Sequence, residues 1–132
     1  MVRSLIAAVL TGLVSLISAA SVASEPPTLF DLVKLPAYQR GWSKLLAGEP
    51  RPVPVWVTRL SGPATPVETL QVGSDTYTTA FMCEPGNCGT HTLRVIFSTS
   101  GANAWGLLLN DEERRWLGEP NDSIKGALLL PQ

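Results

Sequence analysis

The sequence predicts an α+β domain: an N-terminal helical region, a central antiparallel sheet of about five strands, and a short C-terminal helix packed against it. Three observations point there. Residues 28–47 place apolar side chains at helical spacing, residues 67–98 alternate apolar with polar side chains between turn residues, and consecutive strand-like runs lie close enough in sequence to pair with one another. At 132 residues the chain has room for one domain with one core.

The first residues are set apart from that domain. Met1 to Arg3 form a short basic start, Leu5 to Ala20 are mostly Leu, Ile, Val and Ala, and small residues follow at Ser21, Val22, Ala23 and Ser24. This order of charge, apolar run and small residues reads as a secretory signal peptide over residues 1–23, cleaved after Ala23 or alternatively after Ser24. A membrane anchor would need about 20 apolar residues, and this run is shorter and broken by Gly12 and several serines. The expected mature chain, residues 24–132, has no later apolar stretch long enough to span a membrane and no cysteine at the cleavage site for a lipid anchor. Removing Arg3 leaves nine basic against 11 acidic side chains, a net charge of −2. The basic residues are scattered, so nothing suggests a nucleic-acid partner.

Thr28 can cap a helix that begins Leu29, Phe30, Leu32 and Val33, and Pro36 either ends it or opens a second. Over Ala37–Ala47, Tyr38, Trp42, Leu45 and Leu46 share one face, and Gly48 is a stop signal. After the connector Glu49–Pro52, the run Val53–Leu60 has the β-branched and aromatic composition of a strand, with Pro54 at its edge or start. Ser61–Pro66 reads as a loop. Gly73-Ser74 is a two-residue hairpin signature between Val67–Val72 and Asp75–Cys83. Within the second arm Tyr77, Thr79 and Phe81 oppose Thr76, Thr78, Ala80 and Met82. Thr90–Ser98 sets Leu93, Val95 and Phe97 against Arg94, Ile96 and Ser98, so the segment between becomes the tip of a second hairpin. Ser100-Gly101 turns the chain into Trp105–Leu109, the fifth predicted strand. Glu112–Trp116 reads as a short helical turn, and Pro120 as the first residue of a last helix carrying Ile124, Ala127 and Leu128.

The two cysteines, Cys83 and Cys88, bracket Glu84-Pro85-Gly86-Asn87 at that second tip. In an exported chain they are expected to pair, since the compartment is oxidising. So small a loop adds only about 2 kcal/mol by chain entropy, so its main effect is to fix a shape. Little else looks like chemistry. His91 is the sole histidine, and carboxylates alone show no ligand spacing, so no metal and no cofactor are expected. No Gly-x-Ser-x-Gly elbow is present, and His91 reads as a solvent-facing residue at a strand start. Asp111, Glu112 and Glu113, followed by Arg114 and Arg115, read as a solvated turn. Trp42, Trp56, Trp105 and Trp116 could build a sugar- or protein-binding face, with core packing the plainer reading. The chain is therefore expected to bind rather than catalyse.

Several pieces in order give the chain a lineage. Leu29-Phe30-Asp31-Leu32-Val33-Lys34, Pro36-Ala37-Tyr38, Trp56-Val57, the Cys83-x-Pro85-x-x-Cys88 loop, Leu93 to Ser98 and Trp116-Leu117-Gly118-x-Pro120-Asn121 resemble the inhibitor of vertebrate lysozyme (Ivy) family across essentially the whole mature chain. The resemblance implies a periplasmic protein of a Gram-negative bacterium, often a homodimer, that blocks C-type lysozyme. In that family the loop reads Cys-Lys-Pro-His-Asp-Cys and enters the lysozyme cleft, where its histidine bonds the two catalytic carboxylates. Here Glu84 replaces the lysine, Gly86 the histidine and Asn87 the aspartate. The implied partner is lysozyme or a lysozyme-like peptidoglycan hydrolase, met by Glu84, Pro85, Gly86 and Asn87 with His91 as an accessory contact. Inhibition of C-type lysozyme itself is expected to be weak or absent. The alternative is a diverged binding module of the same fold with a different protein partner.

Overall fold

In a computed structural model, which describes residues 12–18 and 25–131, the chain folds as five antiparallel strands with helices on both faces. The expected cleavage site at Ala23 or Ser24 lies outside the described residues, and residues 12–18 are exposed and without regular structure. No helix among the described residues is long and apolar enough to cross a membrane.

Helix α1 (Leu29–Leu32) opens where expected, with the Asp31 carboxylate accepting from the Thr28 backbone N–H at 3.0 Å. Pro36 opens rather than ends a helix: it is the first residue of α2 (Pro36–Ala47), where its missing N–H is not needed. The sheet is a meander in the order β1 (Glu68–Val72), β2 (Asp75–Cys83), β3 (His91–Phe97), β4 (Ala104–Asn110), β5 (Glu113–Leu117). Each strand pairs with its sequence neighbour. Gly73 takes a left-handed φ of 64° in the β1–β2 turn, as the Gly73-Ser74 signature predicts.

Strand alternation divides the apolar side chains between two faces. Ala80, Met82, Leu93, Val95 and Phe97 join Trp42, Leu45, Trp56 and Val57 in the main core beneath the N-terminal helices. Ile96 and Leu107 face the other way, against Ile124, Ala127 and Leu128 of helix α4 (Asp122–Leu128).

Three expectations are corrected. Val53–Leu60 is not a strand; it contains the helical turn α3 (Val55–Thr58), with the Arg59 N–H donating to Val55 O at 2.9 Å. Trp56 and Val57 are adjacent in sequence and both buried, which a strand with a single core face does not permit and a helical turn does. Glu112–Trp116 is not a helical turn but mostly β5, reached through a two-residue turn in which Asp111 takes a φ of 55°. Its charged side chains sit on an edge strand, where charge is a normal protection against further pairing. The sheet thus has five strands, but a different five. Finally, Pro120 precedes the last helix instead of opening it, and the Asn121 side chain caps α4 by accepting from the Ile124 N–H at 2.9 Å.

Candidate functional site

The β2–β3 connection is built from two successive turns closed by a covalent bond. Cys83, the last residue of β2, is disulfide-bonded to Cys88, with 4.9 Å between Cα atoms. Glu84 keeps the hairpin in register by donating its N–H to His91 O at 3.0 Å. Its carbonyl accepts from the Asn87 N–H at 3.0 Å, which makes Glu84 to Asn87 a β-turn. Pro85 supplies the φ that the first central position wants, and Gly86 the positive φ of 80° that the second requires: a type II turn. Asn87 O then accepts from both Thr90 N and His91 N, at 3.1 and 2.9 Å, closing the second turn. Residues 85–90 are exposed, whereas Cys83 is buried at the base. The result is a projecting tip on a fixed root.

The root is braced on both sides. On one side it is paired with β3. On the other, Ala64 bridges Met82, the Cys83 N–H donates to Pro63 O at 3.0 Å, and the Thr65 N–H donates to Phe81 O at 3.3 Å. Gly62 permits this approach, since a Cβ there would lie 2.0 Å from the Cys83 carbonyl oxygen. In the sequence Ser61–Pro66 is marked only as a loop. Its one signal was a glycine beside a proline, which marks many loops.

Three ionisable side chains meet at the foot of the loop. His91 Nε2 lies 3.9 Å from a carboxylate oxygen of Glu84 and 3.7 Å from one of Asp111, while Nδ1 is 2.7 Å from the Thr90 hydroxyl. The imidazole is 17 % exposed, so it is largely covered and turned toward the first loop residue instead of standing out into solvent. Asp111 arrives through the sheet, because β3–β4 pairing sets His91 opposite Asn110, and the Asp111 N–H donates to Thr90 O at 3.0 Å. The predicted acidic run is accordingly split: Asp111 faces His91, and Glu113 pairs with Arg51 at 3.0 Å. Among the described residues no group of three or more His, Cys, Asp or Glu side chains is placed to hold a metal ion.

The tip itself offers backbone groups and the Asn87 amide. Nothing lies within 4 Å of where a Gly86 Cβ would stand, so the position is open but conformationally reserved for glycine. The tryptophans divide: Trp42 and Trp56 are core, while Trp105 and Trp116 are half-buried on the α4 face.

The family described as inhibitor of vertebrate lysozyme (Ivy) matches residues 37–129. The chain is 33 % identical to the inhibitor of vertebrate lysozyme of Pseudomonas aeruginosa over 121 residues, 81 % of this chain and 78 % of that protein. It is 27 % identical to the inhibitor of vertebrate lysozyme of Escherichia coli over 122 residues, 86 % and 75 % of the two chains. An uncharacterised protein of Yersinia pestis is 26 % identical over 118 residues, 80 % and 76 % of the two chains.

Proposed function

Because the chain belongs to the inhibitor of vertebrate lysozyme (Ivy) family, we propose that it is an exported, periplasmic inhibitor of a lysozyme-like peptidoglycan hydrolase, acting by insertion of the Glu84–Asn87 loop into the target's cleft. The observation that supports this reading is the loop's construction: an exposed tip held by a disulfide, a type II turn and a backbone brace. A segment ordered before it docks loses little further freedom on binding, and affinity follows from that economy more than from area. Cleaving a glycosidic bond takes a pair of carboxyl groups in a cleft, and donors presented by such a tip suit them.

The donors here are the backbone N–H groups and the Asn87 amide. Gly86 has no side chain to bond a catalytic carboxylate, and Glu84 adds a negative charge near the tip. The Glu84 carboxylate lies back at the foot of the loop, 3.9 Å from His91 Nε2, rather than at the tip. The loop is therefore suited to a hydrolase cleft less acidic than that of C-type lysozyme, against which inhibition is weak or absent. The same substitutions favour one other reading, a diverged binding module that uses this loop on a different periplasmic protein.

A turbidity assay of lysis by C-type lysozyme, run with the wild type and with Gly86→His, tests the proposal. Wild type at large molar excess should leave lysis nearly unchanged, and Gly86→His should gain inhibition even though the left-handed backbone costs a side chain about 1 kcal/mol there. If Gly86→His adds nothing, and if replacing Glu84, Gly86 and Asn87 together leaves every periplasmic partner captured by the wild type still bound, the loop is not the binding site.

A further inference from the structure

At the end of the sheet away from the loop, a cleft of about 750 Å³ opens between the C-terminal half of α2, the connector after it, and the paired ends of β4 and β5. It runs along β5 from Gly118 to Arg115, the partner of Leu108 on β4, so it begins at the end of the sheet opposite the loop. Its walls carry Lys44, Arg51, Arg115 and Lys125 against Glu49 and Glu119, an excess of positive charge in a chain that is net negative. The two arginines are already engaged. Arg115 pairs with Glu49 at 3.2 Å and donates to Pro52 O at 3.0 Å, and Arg51 pairs with Glu113 at 3.0 Å. Among the described residues, neither Lys44 nor Lys125 makes an ion pair with a carboxylate. Lys44 bonds the Asn103 side-chain oxygen at 3.2 Å, and the Lys125 ammonium lies 5.5 Å from the Trp116 ring centre.

Trp105 and Trp116, packed in part against the smaller apolar cluster on the α4 face, also line this cleft. Trp116 pairs across β4–β5 with Leu107, and Trp105 lies two residues before Leu107, so the indoles are diagonal neighbours on one face of the sheet. Both line the cleft and both are half-buried. An indole platform takes the C–H face of a sugar ring, Asn103 and Glu119 can bond ring hydroxyls, and two separated ammonium groups suit carboxylates set along a chain. A phosphate chain would instead call for arginine forks, and both arginines here are taken.

We propose that this cleft binds an acidic oligosaccharide, one sugar face against Trp105 and Trp116 and its carboxylates on Lys44 and Lys125. The site stands apart from the loop and does not require it.

Tryptophan fluorescence and indole N–H NMR signals of the mature chain, titrated with three probes, test the proposal. These are a tetrasaccharide alternating N-acetylglucosamine with N-acetylmuramic acid, the neutral N-acetylglucosamine tetramer, and ADP. The acidic tetrasaccharide should give a saturable change that shifts the Trp105 and Trp116 indole signals, bind more tightly than either other probe, and weaken with added salt. Lys44→Gln and Lys125→Gln, both conservative on the surface, should each weaken it roughly fivefold. No saturable change, equal binding of the neutral tetramer, tighter binding of ADP, or unaltered affinity in both lysine variants would overturn the proposal.

Discussion

Gly62 shows how much one missing side chain decides. Its replacement by alanine would drive a Cβ into the Cys83 carbonyl oxygen, a backbone atom that cannot rotate away. Gly62→Ala should therefore either cost stability, by about 1–3 kcal/mol as overpacking usually does, or push the Pro63–Thr65 segment off β2. A denaturation midpoint together with amide protection at Cys83 and Thr65 separates the two. Asp31 offers a prediction in pH. The Thr28 N–H, opposed by slight burial and assisted by the charge of Lys34, holds its carboxyl below the usual carboxylate range. Because the folded pKa is the lower one, the stabilisation is fully present above the unfolded value of about 3.9 and is lost as pH falls through the folded value. The Tm gap between wild type and Asp31→Asn should accordingly be constant near neutrality and close on acidification below about pH 4.

At the scale of elements, two arginines tie the edges of the fold together. Arg94, on the α4 face of β3, donates to Leu128 O at 3.2 Å and to Leu130 O, meeting carbonyls that the end of α4 leaves unpaired. Burial lowers its pKa and Glu68 partly opposes this, yet an arginine stays charged at any ordinary pH. Arg94→Ala should cost about 1.5–3 kcal/mol, the range for hydrogen bonds to a charged group, and speed amide exchange first in Ile124–Leu128. Arg115 clamps the connector after α2 onto β5 through Glu49, Arg51 O and Pro52 O, with Glu49 also accepting from the Gly118 N–H at 3.2 Å. Both partners of that ion pair are largely buried, at 12 % and 9 % exposure. Arg115→Ala alone should therefore cost about 3–5 kcal/mol, and more than the double variant Glu49→Gln with Arg115→Met, as read by chemical denaturation.

The same elements show what was legible in the sequence. The two hairpins about β2 were, because Gly73-Ser74 is turn chemistry, the paired cysteines bracket the second tip, and the arms alternate cleanly. Val53–Leu60 was misread because β-branched composition speaks for a strand, whereas the deciding fact is that the main core accepts Trp56 and Val57 side by side. β5 was missed because Glu113, Arg114 and Arg115 look like a solvated turn until a neighbouring strand is there to pair with them. Of the candidate site, the cysteines and the hairpin tip between them were visible. The approach of Asp111 to His91 was not, since it depends on the β3–β4 register, and the brace from Pro63 to Thr65 leaves no periodic trace.

For the whole molecule, the helices, sheet and disulfide form a scaffold that presents a short exposed tip, which the proposed function makes the binding element. Such a division predicts that tip and scaffold vary independently. Changing Glu84 to Lys, Gly86 to His and Asn87 to Asp together should leave the thermal midpoint within a few degrees of wild type, given that surface changes usually stay within about 0.5 kcal/mol and the one strained position adds about 1 kcal/mol. It should also move inhibition of C-type lysozyme further than Gly86→His alone. A collapse in Tm would mean that Glu84, through His91, belongs to the scaffold.

The meander also bears on how the chain reaches this state. Every strand pairs with the one made just before it, so no pairing waits for a distant segment, and the closing cost of each loop stays small. Cys83 ends one arm of such a hairpin and Cys88 lies in its connection, five residues on, and no other cysteine competes for either. Under oxidising conditions the unfolded chain then has one intramolecular bridge to make, brought together by the zipping of its own hairpin. Oxidative refolding from the reduced, denatured chain should run to a single product without disulfide exchange, leaving the final bond independent of an isomerase.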